Sequence, residues 1–220
     1  MRVGGLPASA GRAMRTYGDR CGIARALDIV GERWALLVVR ELLLGPKRFT
    51  DLRAGLPNVG PDVLAQRLRD LEDAGILQRR TLPPPAGARV YELTDRGLDL
   101  EPVVLALGRW GSGAPFPDGD ARIGVDAFVL ALKTLFDPAA DLEATVELRL
   151  GGQQFRAHVT DGRLEVARGP ADQPAATITG EPGPLAAALW HGRPLEAQIE
   201  GDREVANRFL ALFPPPTKEG

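Results

Sequence analysis

The sequence is poor in the residues on which cross-links, metal sites and most catalytic sites depend. It has one cysteine, Cys21, and two histidines, His158 and His191, among 220 residues. A single cysteine excludes a disulfide within the chain, which is typical of proteins in a reducing compartment. The histidines lie far apart, and no HxxxH, CxxC or GxSxG pattern occurs. The sequence therefore predicts no metal site, no catalytic site and no cofactor, and hence a protein that is not an enzyme.

Long apolar runs are also absent. No stretch of about 18 uncharged apolar residues occurs, so we expect no membrane-spanning helix and no membrane partner. Residues 1–18 lack the apolar segment of a secretory signal and are predicted to be a disordered lead. Together with the single cysteine, these features predict a cytoplasmic protein.

The net charge of −2 conceals an asymmetry between the two halves of the chain. Residues 1–113 contain 17 basic and 13 acidic residues, whereas residues 114–220 contain 10 and 16, so the halves carry +4 and −6. The basic excess is small, but it lies in the half that holds the motif described next. That is the distribution that binding to phosphates requires.

Residues 47–93 have the order of a winged helix-turn-helix. Residues 47–58 predict a first helix with Thr50 as its N-cap, and residues 61–74 predict a second helix. Residues 76–81 and 89–93 read as two strands around the proline-rich tip 82–88. This order places the second helix in the DNA major groove and makes the hairpin a wing.

The second helix has an apolar face and a polar face. Leu64, Leu68 and Leu71 follow the i, i+4, i+7 pattern of a buried face, while Pro61 suits the first turn and Gly75 the end. Arginine forks to guanine, glutamine pairs with adenine and aspartate accepts from cytosine. The predicted base-reading positions are Pro61, Asp62, Ala65, Gln66 and Arg69, and the predicted phosphate contacts are Lys47, Arg48, Arg67, Arg79, Arg80 and Arg89. The alternative is an ordinary amphipathic helix beside a surface hairpin, with solvated polar side chains.

Helices are also predicted on both sides of this motif. Upstream, Ile23, Leu27 and Val30 share one helical face, and residues 34–44 are nearly all apolar and should be buried before Gly45 and Pro46 end the run. Downstream, residues 95–110 predict one helix with Thr94 as its N-cap. Its apolar surface is expected from Leu98, Val104, Leu105 and Leu107.

These segments together resemble the HxlR-type family of MarR-like winged-helix transcription regulators. The matching residues are Cys21, 24–28, Gly31, Trp34, 36–37, 40–42, 45–46, 48–49, Leu52, Leu64, 67–68, 71–72, 75–77, 91–94, Gly97 and 110–111. The resemblance implies a DNA-binding domain over residues 19–111. It also implies homodimers on double-stranded, palindromic operator DNA, with dimer contacts from the N-terminal and C-terminal helices.

Cys21 has two interpretations. Members of this family sense oxidants or electrophiles through a cysteine near this position, and a thiol at a helix start near Arg20 and Arg25 is expected to ionise more readily. The alternative is a small apolar residue that packs at the start of a helix. Without a second cysteine, any disulfide would join two subunits or a small thiol.

A second domain is predicted over residues 123–214, after a Gly/Pro-rich linker at 112–122. We predict helices at 126–136, 184–190 and 202–213, the last with Asp202 as N-cap, and strands at 145–150, 154–159, 164–166, 176–180 and 197–199. The fold class is therefore α+β, with an antiparallel sheet in the second domain.

The second domain is similar to the sterol-carrier-protein fold. The similar residues are 175–180, 185–189, Gly192, 199–202 and Ala206. Two alternatives stay open: an apolar tunnel that holds a lipid-like ligand, or a filled core that serves dimerisation. The sequence predicts no ligand-binding residues.

The sequence thus predicts a homodimeric, sequence-specific transcriptional regulator, whose C-terminal domain either binds a small apolar ligand that controls it or stabilises the dimer. One alternative is a regulator that senses oxidants or electrophiles through Cys21. Another, from a different class, is a lipid carrier whose winged helix serves only protein contacts.

Overall fold

The computed structural model describes residues 16–114, 122–139 and 141–216, which form two hydrophobic cores. Most of the predicted N-terminal lead (residues 1–15) and of the predicted linker (residues 115–121) lie outside the described residues. The boundaries of the two domains therefore stay a prediction. Within the described residues, no helix is long and apolar enough to cross a membrane.

The N-terminal core is built from six helices and a β-hairpin. Its elements are α1 (Gly22–Val30), α2 (Ala35–Leu42), α3 (Phe49–Gly55), α4 (Pro61–Asp73), β1 (Leu77–Thr81), β2 (Arg89–Leu93), α5 (Asp95–Leu98) and α6 (Glu101–Ser112). The strands pair antiparallel, from Leu77 opposite Leu93 to Thr81 opposite Arg89. The predicted helix pair followed by a hairpin is thus confirmed.

The apolar pattern of α4 is confirmed by its packing. Leu64, Leu68 and Leu71 are fully buried against α1, α2 and the hairpin. Pro61 occupies the first turn, where its missing N–H has no intrahelical partner. Gly75 has a φ of +69°, a left-handed conformation that lets the chain turn from the helix into β1. The buried leucines therefore fix which face of α4 points outwards.

Two predictions about helix ends were wrong. The helix predicted over 95–110 is two helices, because Pro102 cannot donate the bond to residue 98 that one continuous helix needs. Helix α3 begins at Phe49, with Arg48 rather than Thr50 as the cap residue, and the Arg48 N–H donates to the Asp51 carboxylate at 3.1 Å. The Thr94 cap is confirmed, since its hydroxyl accepts from the Gly97 N–H at 3.2 Å.

The C-terminal core is a five-stranded sheet with helices on one face. Its elements are α7 (Val125–Leu135), β3 (Ala144–Leu150), β4 (Gln153–Thr160), β5 (Arg163–Arg168), β6 (Ala176–Gly180), α8 (Pro182–His191), β7 (Gln198–Gly201) and α9 (Arg203–Ala211). The strand order is β5-β4-β3-β6-β7. The carboxylate of Asp202 accepts from the N–H groups of Glu204 and Val205, as predicted for the cap of α9.

The sheet is mixed rather than wholly antiparallel, so that prediction was wrong in one strand pair. Strand β6 runs parallel to β3, whereas the other three pairs are antiparallel. The segment 169–175 returns the chain from the edge strand β5 to β3, and the Ala175 N–H bonds the Thr145 carbonyl at 2.9 Å. A hairpin connection would have made the pair antiparallel, but a returning crossover brings the strand in parallel.

The space between this sheet and its helices is filled by side chains. The inward residues of β3 and β4 alternate along each strand, and four aromatic rings occupy the centre: Phe128, Phe155, Phe209 and Phe213. Each ring is at most 2 % exposed. This packing favours the filled core over the apolar tunnel.

The two cores touch along α7. Leu44 at the end of α2 and Leu105 on α6 both pack into the C-terminal core. The Arg109 guanidinium donates to the Thr134 carbonyl at 2.7 Å. At Gly108, a Cβ atom would lie 3.3 Å from the Thr134 hydroxyl, so α6 and α7 approach closely there. The C-terminal domain therefore covers one side of α6.

Candidate DNA-binding surface

The outward face of α4 carries the residues that were predicted to read bases. Pro61, Asp62 and Arg69 are exposed, whereas Ala65 and Gln66 are half-buried. Val63 is also exposed, although its apolar character did not suggest a surface position. Because this face lies opposite the buried leucines, it is free to approach another molecule.

Side chains along this face form a hydrogen-bonded series. The Arg69 guanidinium donates to the Gln66 Oε1 atom at 2.7 Å, and the Gln66 Nε2 atom donates to Asp70 at 2.7 Å. Arginine has five N–H donors, so Arg69 keeps most of them for another acceptor. The series places a guanidinium and an amide side by side on one turn of helix. These are the two groups with the best bidentate match to guanine and adenine.

Arg67 does not lie on this face. Its side chain is largely buried and pairs with Asp70 at 2.9 Å and with Glu32, before α2, at 3.8 Å. Arg67 therefore braces α4 against the preceding part of the domain. This placement removes it from the set of phosphate contacts.

Two of the three wing arginines already have acidic partners. Arg79 pairs with Glu72 at 2.8 Å and lies over the Tyr91 ring, with 5.6 Å between guanidinium and ring centroid. Arg80 pairs with Glu92 at 2.9 Å. Both side chains stay about half exposed, at 54 % and 50 %. A phosphate would have to share these guanidinium groups with glutamate.

Two further predicted phosphate contacts, Arg48 and Arg89, are more available. Arg48, at the start of α3, and Arg89, at the start of β2, are exposed. Neither guanidinium is in an ion pair within the described ranges 16–114, 122–139 and 141–216. An exposed arginine that sequence reasoning missed, Arg53 on α3, lies next to the buried Leu52. Its outward direction could have been read from the helical spacing.

Lys47 is not a surface cation, contrary to the prediction. It is 9 % exposed, and its Nζ atom lies 2.6 Å from Glu41 and 2.5 Å from Asp126 of α7. A buried ammonium group is stable only where carboxylates compensate it, as these two do. Lys47 is therefore excluded from the DNA-binding surface.

Cys21 is exposed at the start of α1. Its N–H donates to the Asp19 carboxylate at 2.9 Å, and its thiol makes no capping hydrogen bond. Because Cys21 is exposed in the single chain, it is not a small apolar residue packed at the start of the helix, which was the alternative interpretation. The sensing interpretation requires that a reagent can reach the thiol, and this exposure allows it.

The C-terminal domain has an open cleft of about 800 Å³ at one end of its sheet. It lies where the β3–β4 turn approaches the end of β6, the start of α8 and the start of β7. Its polar lining includes Arg149, Gln153, Gln154, Thr179, Glu181 and Gln198. An apolar ligand in this cleft would lie against these polar side chains as well as against apolar surface.

The two histidines and the acidic residues form no metal site in the described part of the chain. His158 lies on the open face of the sheet, where its Nδ1 atom is 2.9 Å from the Thr145 hydroxyl. His191 lies at the end of α8. The structure does not bring these residues together.

Helices α1 and α6 expose large apolar side chains. Ile23 on α1 is 72 % exposed and Trp110 on α6 is 80 % exposed, and Leu27, Val103 and Leu107 are also exposed. Of the α6 residues predicted to form an apolar surface, Val104 and Leu105 instead pack inwards against the two cores. Exposed apolar area of this kind usually marks a protein interface.

Comparison with known proteins identifies the N-terminal domain. The family model for the HxlR-like helix-turn-helix matches residues 29–115. The uncharacterized HTH-type transcriptional regulator YvaP of Bacillus subtilis is 38 % identical over 88 residues, which are 40 % of this chain and 82 % of YvaP. The chain belongs to the HxlR family. It is a transcriptional regulator of that family, whose helix-turn-helix implies DNA binding.

Two further proteins are similar to about the same share of this chain. The HTH-type transcriptional regulator YodB of Bacillus subtilis is 34 % identical over 85 residues, 39 % of this chain and 76 % of YodB. The solved structure of the redox regulator HypR in its oxidized form is 32 % identical, covers 44 % of this chain and 100 % of HypR, and has a TM-score of 0.40. The family match ends at residue 115, so it includes α4 and the wing but not the five-stranded sheet.

Proposed function

We propose that this HxlR-family regulator binds operator DNA sequence-specifically as a homodimer, with α4 of each subunit in the major groove. The observation that carries the proposal is the pairing of Gln66 and Arg69 on the exposed face of α4. The buried leucines on the opposite face hold these side chains outwards. Arginine and glutamine at such positions discriminate guanine and adenine through bidentate hydrogen bonds.

Phosphate contacts are assigned by availability. Arg48 precedes α3 and Arg53 lies on it. Helix α3 is the first helix of the motif, and in such domains this helix crosses the DNA backbone. Arg89 lies at the tip end of the wing strands, opposite Thr81, and is in no ion pair within the described residues. Arg79 and Arg80 contribute less, because Glu72 and Glu92 already neutralise them. These contacts position the protein without reading sequence.

The homodimer is supported by the apolar residues of α1 and α6. A second copy of the same surface would cover Leu107 and Trp110, which a monomer leaves in water. Such an interface has two-fold symmetry, so the two copies of α4 would meet inverted half-sites about one helical turn apart. The proposal therefore includes a palindromic operator.

Control by oxidation is a second candidate, favoured by the exposure of Cys21. Treatment of the full-length chain with diamide is expected to change its DNA affinity, and Cys21→Ser should abolish that change. An unchanged affinity in the wild type would exclude this control. An apolar effector is not favoured, because the aromatic core is filled and the cleft is open and carries charged and amide side chains. For the same reason the lipid-carrier alternative is not favoured.

Selection from a random pool of DNA duplexes tests the proposed function. The full-length chain should enrich an inverted repeat whose half-sites are separated by about 10 base pairs. Arg163→Ala is a matched control, because Arg163 is an exposed arginine of the C-terminal domain. It should enrich the same sequence as the wild type. Recovery of unrelated sequences in replicate selections would contradict sequence-specific binding.

A further inference from the structure

Four charged side chains, two from each domain, form a set of ion pairs between the N-terminal and C-terminal domains. Lys47, between α2 and α3, bonds Glu41 of α2 at 2.6 Å and Asp126 of α7 at 2.5 Å. The guanidinium of Arg168, at the end of β5, donates to the other oxygen of Asp126. Glu41, Lys47 and Asp126 are all buried. The interdomain cluster is defined as these four residues.

The charges of the cluster make Asp126 its central member. Arg40 also pairs with Glu41, at 2.8 Å, so three cations share two carboxylates. Asp126 compensates Lys47 and Arg168 together. Without the charge of Asp126, Glu41 would be the one carboxylate left to Arg40 and Lys47, and Arg168 would lose its carboxylate partner. A buried charge that loses its partner is strongly destabilising, so this contact resists separation of the domains.

Lys47 connects the cluster to the DNA-binding elements through its main chain. Its N–H donates to the Tyr91 carbonyl at 3.0 Å, and the Tyr91 N–H donates to the Lys47 carbonyl at 2.8 Å. Tyr91 lies in the wing strand β2. Arg48, the residue after Lys47, is the cap of α3. The position of Lys47 therefore sets the position of the wing and of the first helix of the pair.

Arg168 connects the cluster to the cleft. Its guanidinium also donates to the side-chain oxygen of Gln153, a residue of the cleft lining. The same guanidinium lies over the buried Phe155 ring, 4.8 Å from its centroid. A continuous series of hydrogen bonds thus runs from the cleft through Asp126 and Lys47 to the wing.

We infer that Asp126 is a positioning residue through which the C-terminal domain controls the DNA-binding surface. The inference rests on the proposed function, which supplies the DNA that this surface binds. Asp126 holds Lys47, and Lys47 holds the wing and the start of α3 in the arrangement that meets DNA. Because coupling between sites is reciprocal, DNA binding also strengthens the contact at Asp126. The C-terminal domain acts by contact with the winged helix, and it needs no contact with DNA.

Hydrogen exchange measured by mass spectrometry tests the coupling without DNA. In the full-length chain, Asp126→Asn should raise the exchange rate of the β1 and β2 amides by roughly tenfold. Glu147→Gln is a matched control, because Glu147 is 3 % exposed against 4 % for Asp126 and is also ion-paired, but only within its own domain. It should leave the wing amides within about twofold of the wild type. Wing exchange that is unchanged in Asp126→Asn, or raised equally in Glu147→Gln, would overturn the inference.

A second substitution separates coupling from simple damage to the fold. Lys47→Met removes the ammonium group that loses one of its two carboxylate partners in Asp126→Asn, while its side chain keeps much of the buried volume. In the double variant, Lys47→Met with Asp126→Asn, the protection of the wing amides should return towards that of the wild type. If Asp126→Asn alone fails to fold, the double variant should fold. A double variant no better than Asp126→Asn would contradict a direct contact between the domains.

The DNA arm uses the duplex recovered by selection. Asp126→Asn should bind it roughly tenfold more weakly, because a loosened wing must be ordered on binding. Glu147→Gln should bind as the wild type does. Raised wing exchange with unchanged DNA affinity would overturn the control of DNA binding. If the wild type binds no duplex, the proposed function is refuted. The hydrogen-exchange comparison of Asp126→Asn with Glu147→Gln would still test whether Asp126 positions the wing.

Discussion

Single side chains decide how the exposed face of α4 can act. Arg69 and Gln66 were placed on that face by helical spacing alone, and the structure adds that they are hydrogen-bonded to each other. A guanidinium held by a neighbouring amide loses less conformational freedom when it meets a base. Arg69 is therefore the strongest candidate for base recognition in this chain.

Arg69→Ala is expected to weaken binding to the selected duplex by about 1–3 kcal/mol, with a much smaller loss on random DNA. The reason is that only the selected duplex offers the base edge that the guanidinium reads. Fluorescence anisotropy titrations on both duplexes measure the difference. Equal losses on the two duplexes would show that Arg69 contacts phosphates instead.

Arg89 and Arg80 differ in their partners and so should differ in effect. Arg89→Ala should weaken selected and random duplexes alike and lower the slope of log affinity against log salt by about one. Arg80→Ala should lower it by less, because Glu92 already takes part of its charge. Affinities measured over a range of salt concentrations give both slopes. If Arg80→Ala lowered this slope more than Arg89→Ala does, Arg80 would not be the less available of the two arginines.

Glu147 is a buried carboxylate with a pH-dependent contribution to stability. The Ala171 N–H and the Arg149 guanidinium hold the pKa of Glu147 below its ordinary value of 4.5. A lowered pKa stabilises the folded state above the unfolded value, and this contribution disappears as pH falls through the folded value. Glu147→Gln should therefore lower stability at pH 7 and flatten its decline below about pH 5. Urea denaturation at several pH values measures this, and parallel curves would contradict it.

At the scale of elements, α6 has three faces in three different environments. Val104 packs against the N-terminal core, and Leu105 packs against the C-terminal core. The third face, with Val103, Leu107 and Trp110, is not covered by any of the residues that the structure describes. A helix with two faces packed against the protein and an exposed apolar third face is well suited to a subunit interface.

Leu107→Glu and Trp110→Glu should each shift the protein towards monomers, because a carboxylate would be buried in the apolar interface. Light scattering after gel filtration measures the mass. Leu195→Glu is a matched control, since Leu195 is an exposed leucine of the C-terminal domain, and it should leave the mass unchanged. Monomeric wild-type protein, or identical masses for all variants, would contradict the proposed interface.

Elements with local signals were predictable from the sequence. The leucine spacing of α4, the alternation in β3 and β4, and the caps Thr94 and Asp202 gave their positions because each signal lies within one element. The break between α5 and α6 also had a local signal, Pro102, which the continuous apolar pattern concealed. The partner of β6 had none, since pairing with β3 depends on where segment 169–175 crosses.

At the scale of the whole molecule, the contact between the domains was not predictable. Lys47 and Asp126 are far apart in the sequence, and a lysine beside an arginine at a helix start is typical of a phosphate contact. Folding places Asp126 against it and turns a surface cation into a buried one. The candidate site was therefore predictable where helical spacing set exposure, as at Arg69. It was not predictable where tertiary contacts took the side chain, as at Lys47 and Arg67.

The central claim is that two copies of α4 occupy successive major grooves on one side of a duplex. Methylation of guanine N7 by dimethyl sulfate probes that groove directly. On the selected duplex, the full-length chain should protect guanines in two segments about 10 base pairs apart, and Arg69→Ala should restore reactivity at one guanine in each segment. Protection in a single segment, or major-groove guanines that stay fully reactive in the bound duplex, would contradict the account.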